Sequence, residues 1–106
     1  MTEYQRRYSW KRTWPGETGL DGKLLEDYVC VIDGENTGRI SYQEAGPMKG
    51  RWKWDGGHSR KIRVTVMPHG GYAPCRSEAV RLVEEHYDAQ RVAAGLPPVS
   101  NSRDRN

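Results

Sequence analysis

The strongest constraint on the fold is a change in the spacing of apolar residues near Gly70. Before this point, apolar side chains recur at every second residue, which is the period of a strand with one buried face. After the breakers "PHGGYAP" they recur with the 3.6-residue period of an amphipathic helix. The sequence therefore predicts a run of strands followed by one helix.

The strands are predicted in four short stretches. These are "DYVCVID" (27–33), "RISYQ" (39–43), "GRWKWDG" (50–56) and "KIRVTVM" (61–67). The connections "GENTG", "EAGPMKG" and "DGGHS" are rich in residues that tolerate tight turns. Strands joined by such short turns predict an antiparallel meander.

The helix is predicted within "CRSEAVRLVEEHYDAQRVAAG", residues 75–95. Its core-facing stripe is Ala79, Leu82, Val83, His86, Tyr87 and Gln90, and its solvent face holds Arg81, Glu84, Glu85 and Asp88. Cys75 and Glu78 have the spacing of a capping box with a thiol in place of the hydroxyl. Gly95, followed by two prolines, predicts the end of the helix.

A sheet and a helix that each have one apolar face are expected to cover each other. The predicted fold is α+β, a two-layer ββββα domain over residues 27–93. Residues 1–26 are expected to form a flexible basic and aromatic arm and linker, and residues 94–106 a disordered tail. The predicted core contains Ile40, Tyr42, Trp52, Trp54, Ile62, Val64, Val66, Ala79, Leu82, Val83 and Tyr87.

The tryptophans of "GRWKWDG" allow two interpretations. Alternation along a strand places Trp52 and Trp54 on one face, and Arg51 and Lys53 on the other. The tryptophans could fill a core, or they could stack on nucleic-acid bases beside the cations. The core interpretation is favoured, because neighbouring strands carry aliphatic residues in matching alternation and a helix is available to cover them.

The strings "GRISYQEAGPMKGRWKW" and "GYAPCRSEAV" resemble a group of small, uncharacterised bacterial proteins. That group shares the order GRIY, a Gly-Pro turn, GRWxW, GYA and a Glu-Ala helix start. The similarity spans residues 27–90, but Ser41 and Lys53 stand where the pattern places an aromatic residue, and "KIRVTVM" is an addition. No activity is known for the group, so the resemblance supports the fold and implies neither a function nor a catalytic residue.

The positive charge of the chain is localised. The net charge is +3, and residues 1–14 carry four cations and one acid, so the remainder is neutral as a whole. Within that remainder, residues 17–35 are acidic and residues 39–63 are basic. The candidate binding residues are the sheet cations Arg39, Arg51, Lys53, Lys61 and Arg63, with Asp55 as the single acid, and the arm cations Arg6, Arg7, Lys11 and Arg12.

These cations predict a non-enzymatic domain that acts through a basic surface. The leading hypothesis is a protein-interaction module with an acidic partner, present as a monomer or a weak homodimer. The alternative is nucleic-acid binding through the open sheet face and the N-terminal arm. A structural alternative is that exposed strand positions take Lys and Arg as ordinary solubilising and edge-protecting residues.

Several classes of function lack their usual sequence signals. No carboxylate pair, nucleophile elbow, Gly-rich phosphate loop or metal-ligand spacing is present, so no catalytic residue, metal or cofactor is expected. Cys30 and Cys75 form no CxxC pair and are expected to be free thiols. No apolar run approaches the roughly 18 residues of a membrane span, and the N-terminus lacks a signal-peptide centre. A cytoplasmic protein that binds no membrane is expected.

Overall fold

The structure is a computed structural model that describes residues 4–19, 22–57, 62 and 64–96. Its elements are β1 (Ser9–Arg12), β2 (Asp27–Ile32), β3 (Glu35–Tyr42), β4 (Trp52–Gly56), β5 (Gly70–Ala73) and α1 (Arg76–Ala93). The strands form one antiparallel sheet in the order β1-β2-β3-β4-β5, and α1 packs against one face of it. The predicted α+β fold with a meander sheet and one C-terminal helix is therefore confirmed, with five strands in place of four.

The first hairpin turns at Asp33 and Gly34. Their φ angles are 52° and 78°, and Ile32 lies directly opposite Glu35. Asp-Gly is a strong signal for a two-residue hairpin, because both central residues of such a turn need a positive φ. Most of the stretch that the sequence predicts as a turn, "GENTG", therefore belongs to β3, which carries a bulge where the register shifts.

The prediction of a strand over residues 61–67 is wrong. The residues of this segment that the structure describes lie outside the strands, and β5 takes the position beside β4. Two carbonyls of the segment lie against helix side chains. Gln90 Nε2 donates to the Val64 carbonyl at 3.2 Å, and His86 Nε2 lies 2.9 Å from the Val66 carbonyl oxygen. Side chains of the helix therefore make the polar contacts to these carbonyls that backbone N–H groups of a neighbouring strand would otherwise make.

The sheet begins earlier in the chain than the sequence predicts. Instead of a flexible arm, Ser9–Arg12 pair with β2, and Trp10 lies opposite Cys30. Tyr8, just before β1, is 5% exposed, and its ring meets that of Tyr87 edge-on at 5.5 Å. Alternation along β1 places Trp10 and Arg12 on the helix side of the sheet. The many charged residues of this segment obscure that pattern in the sequence.

The core lies between the sheet and α1. Of its predicted members, the buried ones are Ile40, Trp52, Trp54, Ile62, Ala79, Val83 and Tyr87. Trp52 and Trp54 are 8% and 5% exposed, which confirms that they are core residues. Tyr42 is 38% exposed at the end of β3, so its assignment to the core is wrong. Val64, Val66 and Leu82 are half-buried, and Tyr8, Cys30 and Ala73 join the core.

Two glycines allow α1 to approach the sheet closely. A Cβ atom on Gly38 would lie 2.4 Å from Val83 Cγ1, and one on Gly56 would lie 2.3 Å from His86 Nδ1. Neither distance is compatible with a side chain, because protein interiors leave no such space. The glycines of β3 and β4 therefore determine where the helix crosses the sheet.

The ends of α1 differ in how well they follow prediction. Cys75 is the N-cap residue but makes no side-chain cap hydrogen bond, so the predicted capping box with a thiol does not form. Gly95 has a φ of 75°, and its N–H donates to the Val92 carbonyl, as expected for a helix that ends at glycine. Of the predicted tail, residues 97–106 lie outside the described residues. Within the described chain, no helix combines the length and apolar character needed to cross a bilayer.

Candidate binding surface on the open face of the sheet

The open face is the side of the sheet that points away from α1. Because strand side chains alternate, the neighbours of the buried residues in each strand point to this side. Its members in the described strands include Lys11, Asp27, Val29, Arg39, Ser41, Lys53, Asp55 and Tyr72. Polar, charged and aromatic side chains are thus brought together on a surface without a covering helix.

A carboxylate organises the centre of the open face. Arg39 donates to both oxygens of Asp27, with Nε to Oδ1 at 2.8 Å and Nη2 to Oδ2 at 2.6 Å. Thr13 Oγ1 also donates to Asp27 Oδ1, at 2.6 Å. The pairing of Thr13 with Asp27 through their backbones, at 2.9 Å, continues the β1–β2 ladder and brings the side chains together. The Asp27 side chain is only 11% exposed.

The environment of Asp27 keeps it ionised. Burial by itself raises the pKa of a carboxyl, because it disfavours the charged form. Here hydrogen bonds from Arg39 and Thr13, the positive charge of Arg39 and a hydrogen bond from Trp14 outweigh burial, and the pKa of Asp27 is lowered. Asp27 is therefore a charged partner for Arg39 at neutral pH.

Trp14 completes this group of residues on the solvent side. The Arg39 Cζ atom lies 5.9 Å from the centre of the Trp14 ring, within the range of a cation–π contact. Trp14 nevertheless remains 47% exposed. A cavity of about 320 Å³ lies beside the Trp14 ring, and Val29 and Asp55 are among the residues that line it. We call Thr13, Trp14, Asp27 and Arg39 the Trp14 cluster.

The cations that the sequence predicts for the sheet face are only partly brought together. Arg39 and Lys53 lie on the open face, and alternation along β4 extends this face to the exposed Arg51. Lys61 and Arg63 lie outside the described residues. The expected single acid, Asp55, is joined by Asp27, which belongs to the acidic stretch of residues 17–35. The described part of the face therefore has Lys11, Arg39, Arg51 and Lys53 against two carboxylates.

The cations predicted for the arm separate into different environments. Lys11 lies exposed on the open face, at the edge of the sheet. Arg7 forms an ion pair with Asp88 of α1. Arg12 lies on the helix side, where Nη1 is 3.4 Å from Glu26 Oε2 and its guanidinium lies over a tyrosine ring. Arg6 is exposed and lines a groove beside α1. The arm therefore does not form one continuous surface with the open face.

Glu84 has a structural role that the sequence pattern does not predict. It is expected on the solvent face of the helix, but it is fully buried. Its carboxylate accepts hydrogen bonds from Tyr4 Oη at 2.6 Å, Arg7 N at 2.8 Å, Tyr8 N at 3.1 Å and Trp10 Nε1 at 3.0 Å. The donors precede Glu84 by 74 to 80 positions, a separation that local sequence patterns do not reveal. Glu84 thereby attaches residues 4–10 to α1.

The thiols differ in their surroundings. Cys75 is exposed, whereas Cys30 is buried in the core. Burial raises the pKa of Cys30 to about 12, so this thiol stays protonated near neutral pH. Across the described ranges, no three His, Cys, Asp or Glu side chains are grouped so that they could hold a metal ion.

Comparison with known proteins finds no family model, curated protein or solved structure that matches this chain. The resemblance to small bacterial proteins therefore stays a prediction. The function has to be inferred from the geometry and chemistry of the open face.

Proposed function

We propose that the protein is a non-enzymatic interaction module that binds an acidic protein segment on the open face of its sheet. The observation that carries this proposal is the Trp14 cluster, in which an exposed tryptophan is held in place by a fixed arginine. The proposal places the module in the cytoplasm, as a monomer or a weak homodimer. A reducing compartment suits the free thiols of Cys30 and Cys75.

Two members of the Trp14 cluster, Trp14 and Arg39, are of residue types that dominate the energetics of protein interfaces. Tryptophan, tyrosine and arginine are enriched among residues whose removal costs the most binding energy. On this surface Trp14 is 47% exposed, and Tyr72 of β5 is 44% exposed. Because Asp27 already fixes Arg39, and Arg39 contacts Trp14, little side-chain entropy remains to be lost on binding.

The charges around the Trp14 cluster favour a partner with a few carboxylates. Lys11 and Lys53 are exposed on the same face and are available for acidic side chains. A phosphate backbone would meet the exposed Asp55 as well, and the small excess of cations offers few phosphate contacts. A protein segment with an apolar side chain and flanking acidic residues matches the exposed aromatic rings and lysines of this face better than a nucleic acid does.

A displayed library of random peptides provides the test. The folded full-length chain is immobilised, and peptides are selected on it and counter-selected on the Trp14→Ala variant. We expect enriched peptides to contain Asp or Glu around an apolar or aromatic residue. In ¹⁵N NMR titrations of the full chain, the signals that shift should belong to β1, β3 and β4 on the open face. Trp14→Ala and Lys53→Ser should each weaken the enriched peptides.

The matched control is Arg81→Ser, which removes a cation from the solvent side of α1 and should leave peptide affinity unchanged. A peptide that binds the Trp14→Ala variant as well as the parent would contradict the proposal. So would binding of poly(dT) or duplex DNA that falls steeply with salt and is lost in the Lys53→Ser variant, because the open face would then be a nucleic-acid site. Sedimentation that shows a dimer disrupted by Trp14→Ala would assign the face to a second copy of the chain instead.

A further inference from the structure

The groove beside α1 is a second candidate site, independent of the open face. It lies on the helix side of the sheet, between residues 4–6, the start of α1 and strands β1 to β3. We propose that this groove binds a small organic anion that carries a planar ring. Its volume of about 380 Å³ falls in the range of roughly 300–1,000 Å³ that is usual for small-molecule sites.

Two aromatic side chains form fixed walls of the groove. Trp10 is held by the hydrogen bond from its Nε1 to Glu84. Tyr28 stacks on Trp52 with ring centres 6.3 Å apart and an angle of 27°, and its hydroxyl donates to Glu26 at 3.2 Å. Because contacts outside the groove hold both rings, a planar ligand would find them already in position.

The charge of the groove comes from Arg6 and Arg76. The Arg76 guanidinium lies 5.8 Å from the centre of the Tyr28 ring, which keeps it at the wall. In the described part of the chain, neither arginine is in a salt bridge, and no carboxylate lines the groove. By contrast, Arg7, Arg12, Arg39 and Arg81 are each paired with Asp or Glu.

This combination defines the chemistry of the ligand. Arginine guanidinium groups bind carboxylate and phosphate oxygens through charge-assisted hydrogen bonds. Aromatic walls with the apolar Ile40 and Val80 favour a planar ring over a sugar or an inorganic ion. An aromatic carboxylate and a nucleoside monophosphate both join an anionic group to a planar ring.

The experiment uses the full chain labelled with ¹⁵N and two probes, adenosine 5′-monophosphate and benzoate. The indole N–H signal of Trp10, assigned with Trp10→Phe, reports on the groove wall. We expect saturable shifts of this signal with at least one probe, and the probe that binds distinguishes a nucleotide from an aromatic carboxylate as the ligand. Adenosine, which lacks the phosphate, should bind at least about tenfold more weakly than the monophosphate.

Variants of Arg76 separate recognition from folding. Arg76→Ala should weaken the binding probe about tenfold or more, whereas Arg76→Lys, which keeps the positive charge, should retain part of the affinity. The matched control Arg81→Ala removes the same charge from α1 on the side away from the groove and should not change binding. Amide spectra like those of the parent establish that each variant is folded.

Several results would overturn this proposal without touching the open face. They are the absence of a Trp10 shift with both probes, equal affinity for adenosine and its monophosphate, and equal losses in Arg76→Ala and Arg81→Ala. Since the Trp14 cluster lies on the opposite side of the sheet, peptide binding there would remain a separate result.

Discussion

Asp27 shows how one carboxylate determines the arrangement of several side chains on the open face. Its burial is unfavourable for a charge, and the charge-assisted hydrogen bonds from Arg39 and the hydroxyl of Thr13 offset that cost. Arg39 in turn lies against Trp14. The interface that we propose therefore depends on a residue that a partner would scarcely touch.

Replacing Asp27 by asparagine tests this role through pH. Asn cannot hold Arg39 through two charged oxygens, so Asp27→Asn should lower the free energy of unfolding at pH 7 by about 1–3 kcal/mol. The pKa of Asp27 is lowered in the folded state, so its contribution is present above the ordinary aspartate value of about 3.9 and is lost as pH falls through the folded value. In urea unfolding, the free energies of parent and variant should therefore begin to approach each other below about pH 4 and converge once pH is below the folded pKa of Asp27.

The control for this prediction is Asp33→Asn. Asp33 lies exposed in the β2–β3 turn, where its positive φ suits asparagine equally well. The change should leave the free energy of unfolding within about 0.5 kcal/mol of the parent. A difference between parent and Asp27→Asn that stays constant from pH 7 to pH 3 would show that the carboxylate charge does not stabilise the fold.

At the level of elements, β1 depends on α1 as much as on its neighbour in the sheet. Backbone pairing connects β1 to β2, but Glu84 binds the two residues that lead into β1 and the indole of Trp10 within it. Arg7 and the Tyr8 hydroxyl also reach Asp88, one turn further along the helix. Two carboxylates of α1 thus keep the edge strand in place.

Glu84→Gln should release this strand while the rest of the sheet stays folded. A glutamine has one acceptor oxygen, so it cannot satisfy four donors, and its own amide hydrogens point at some of them. Trypsin should then cleave after Arg6, Arg7, Lys11 or Arg12 faster than in the parent, by about tenfold for each 1.4 kcal/mol lost. Mass spectrometry of the products identifies the cut sites.

Glu85→Gln is the matched control, since Glu85 is the exposed neighbour that pairs with Arg81. It should leave cleavage of the N-terminal segment unchanged. Equal cleavage rates for Glu84→Gln and the parent would show that the hydrogen bonds of Glu84 do not hold β1.

The features that sequence could predict are those that depend on local spacing. Alternation assigns Trp52 and Trp54 to the core, and the 3.6-residue period places Val83 on the buried stripe of α1. By contrast, β5 has only a glycine-rich run to mark it, because the close approach of Trp54 leaves little room for side chains there. The burial of Glu84 and the Trp14 cluster both need contacts between distant segments, which periodicity does not contain.

At the scale of the whole molecule, the predicted boundary at residue 27 divides a sheet that the structure shows as continuous. Removing residues 1–26 would leave β2 as an edge, uncover the ring of Tyr87 and leave Glu84 buried without its donors. Tyr8 belongs to the buried core, and Trp10 packs against it. The N-terminal segment is thus part of the fold.

A chain that lacks residues 1–14 should be less stable by at least about 3 kcal/mol, because two large side chains lose their buried contacts. Chemical denaturation followed by the circular dichroism of α1 measures this loss. Lys53→Ser, an exposed change on the open face, should stay within about 0.5 kcal/mol of the parent. A truncated chain as stable as the parent would show that residues 1–14 do not stabilise the folded unit.

The distance along the chain between Glu84 and its donors also orders events during synthesis. Tyr8 precedes Glu84 by 76 positions, so at about 5–20 residues per second a ribosome needs roughly 4 to 15 seconds to pass from one to the other. Within that interval β2, β3 and β4 are synthesised, so their hairpins, which join neighbouring segments, can close before Glu84 is made. Residues made early in translation are therefore among the last to reach their native contacts.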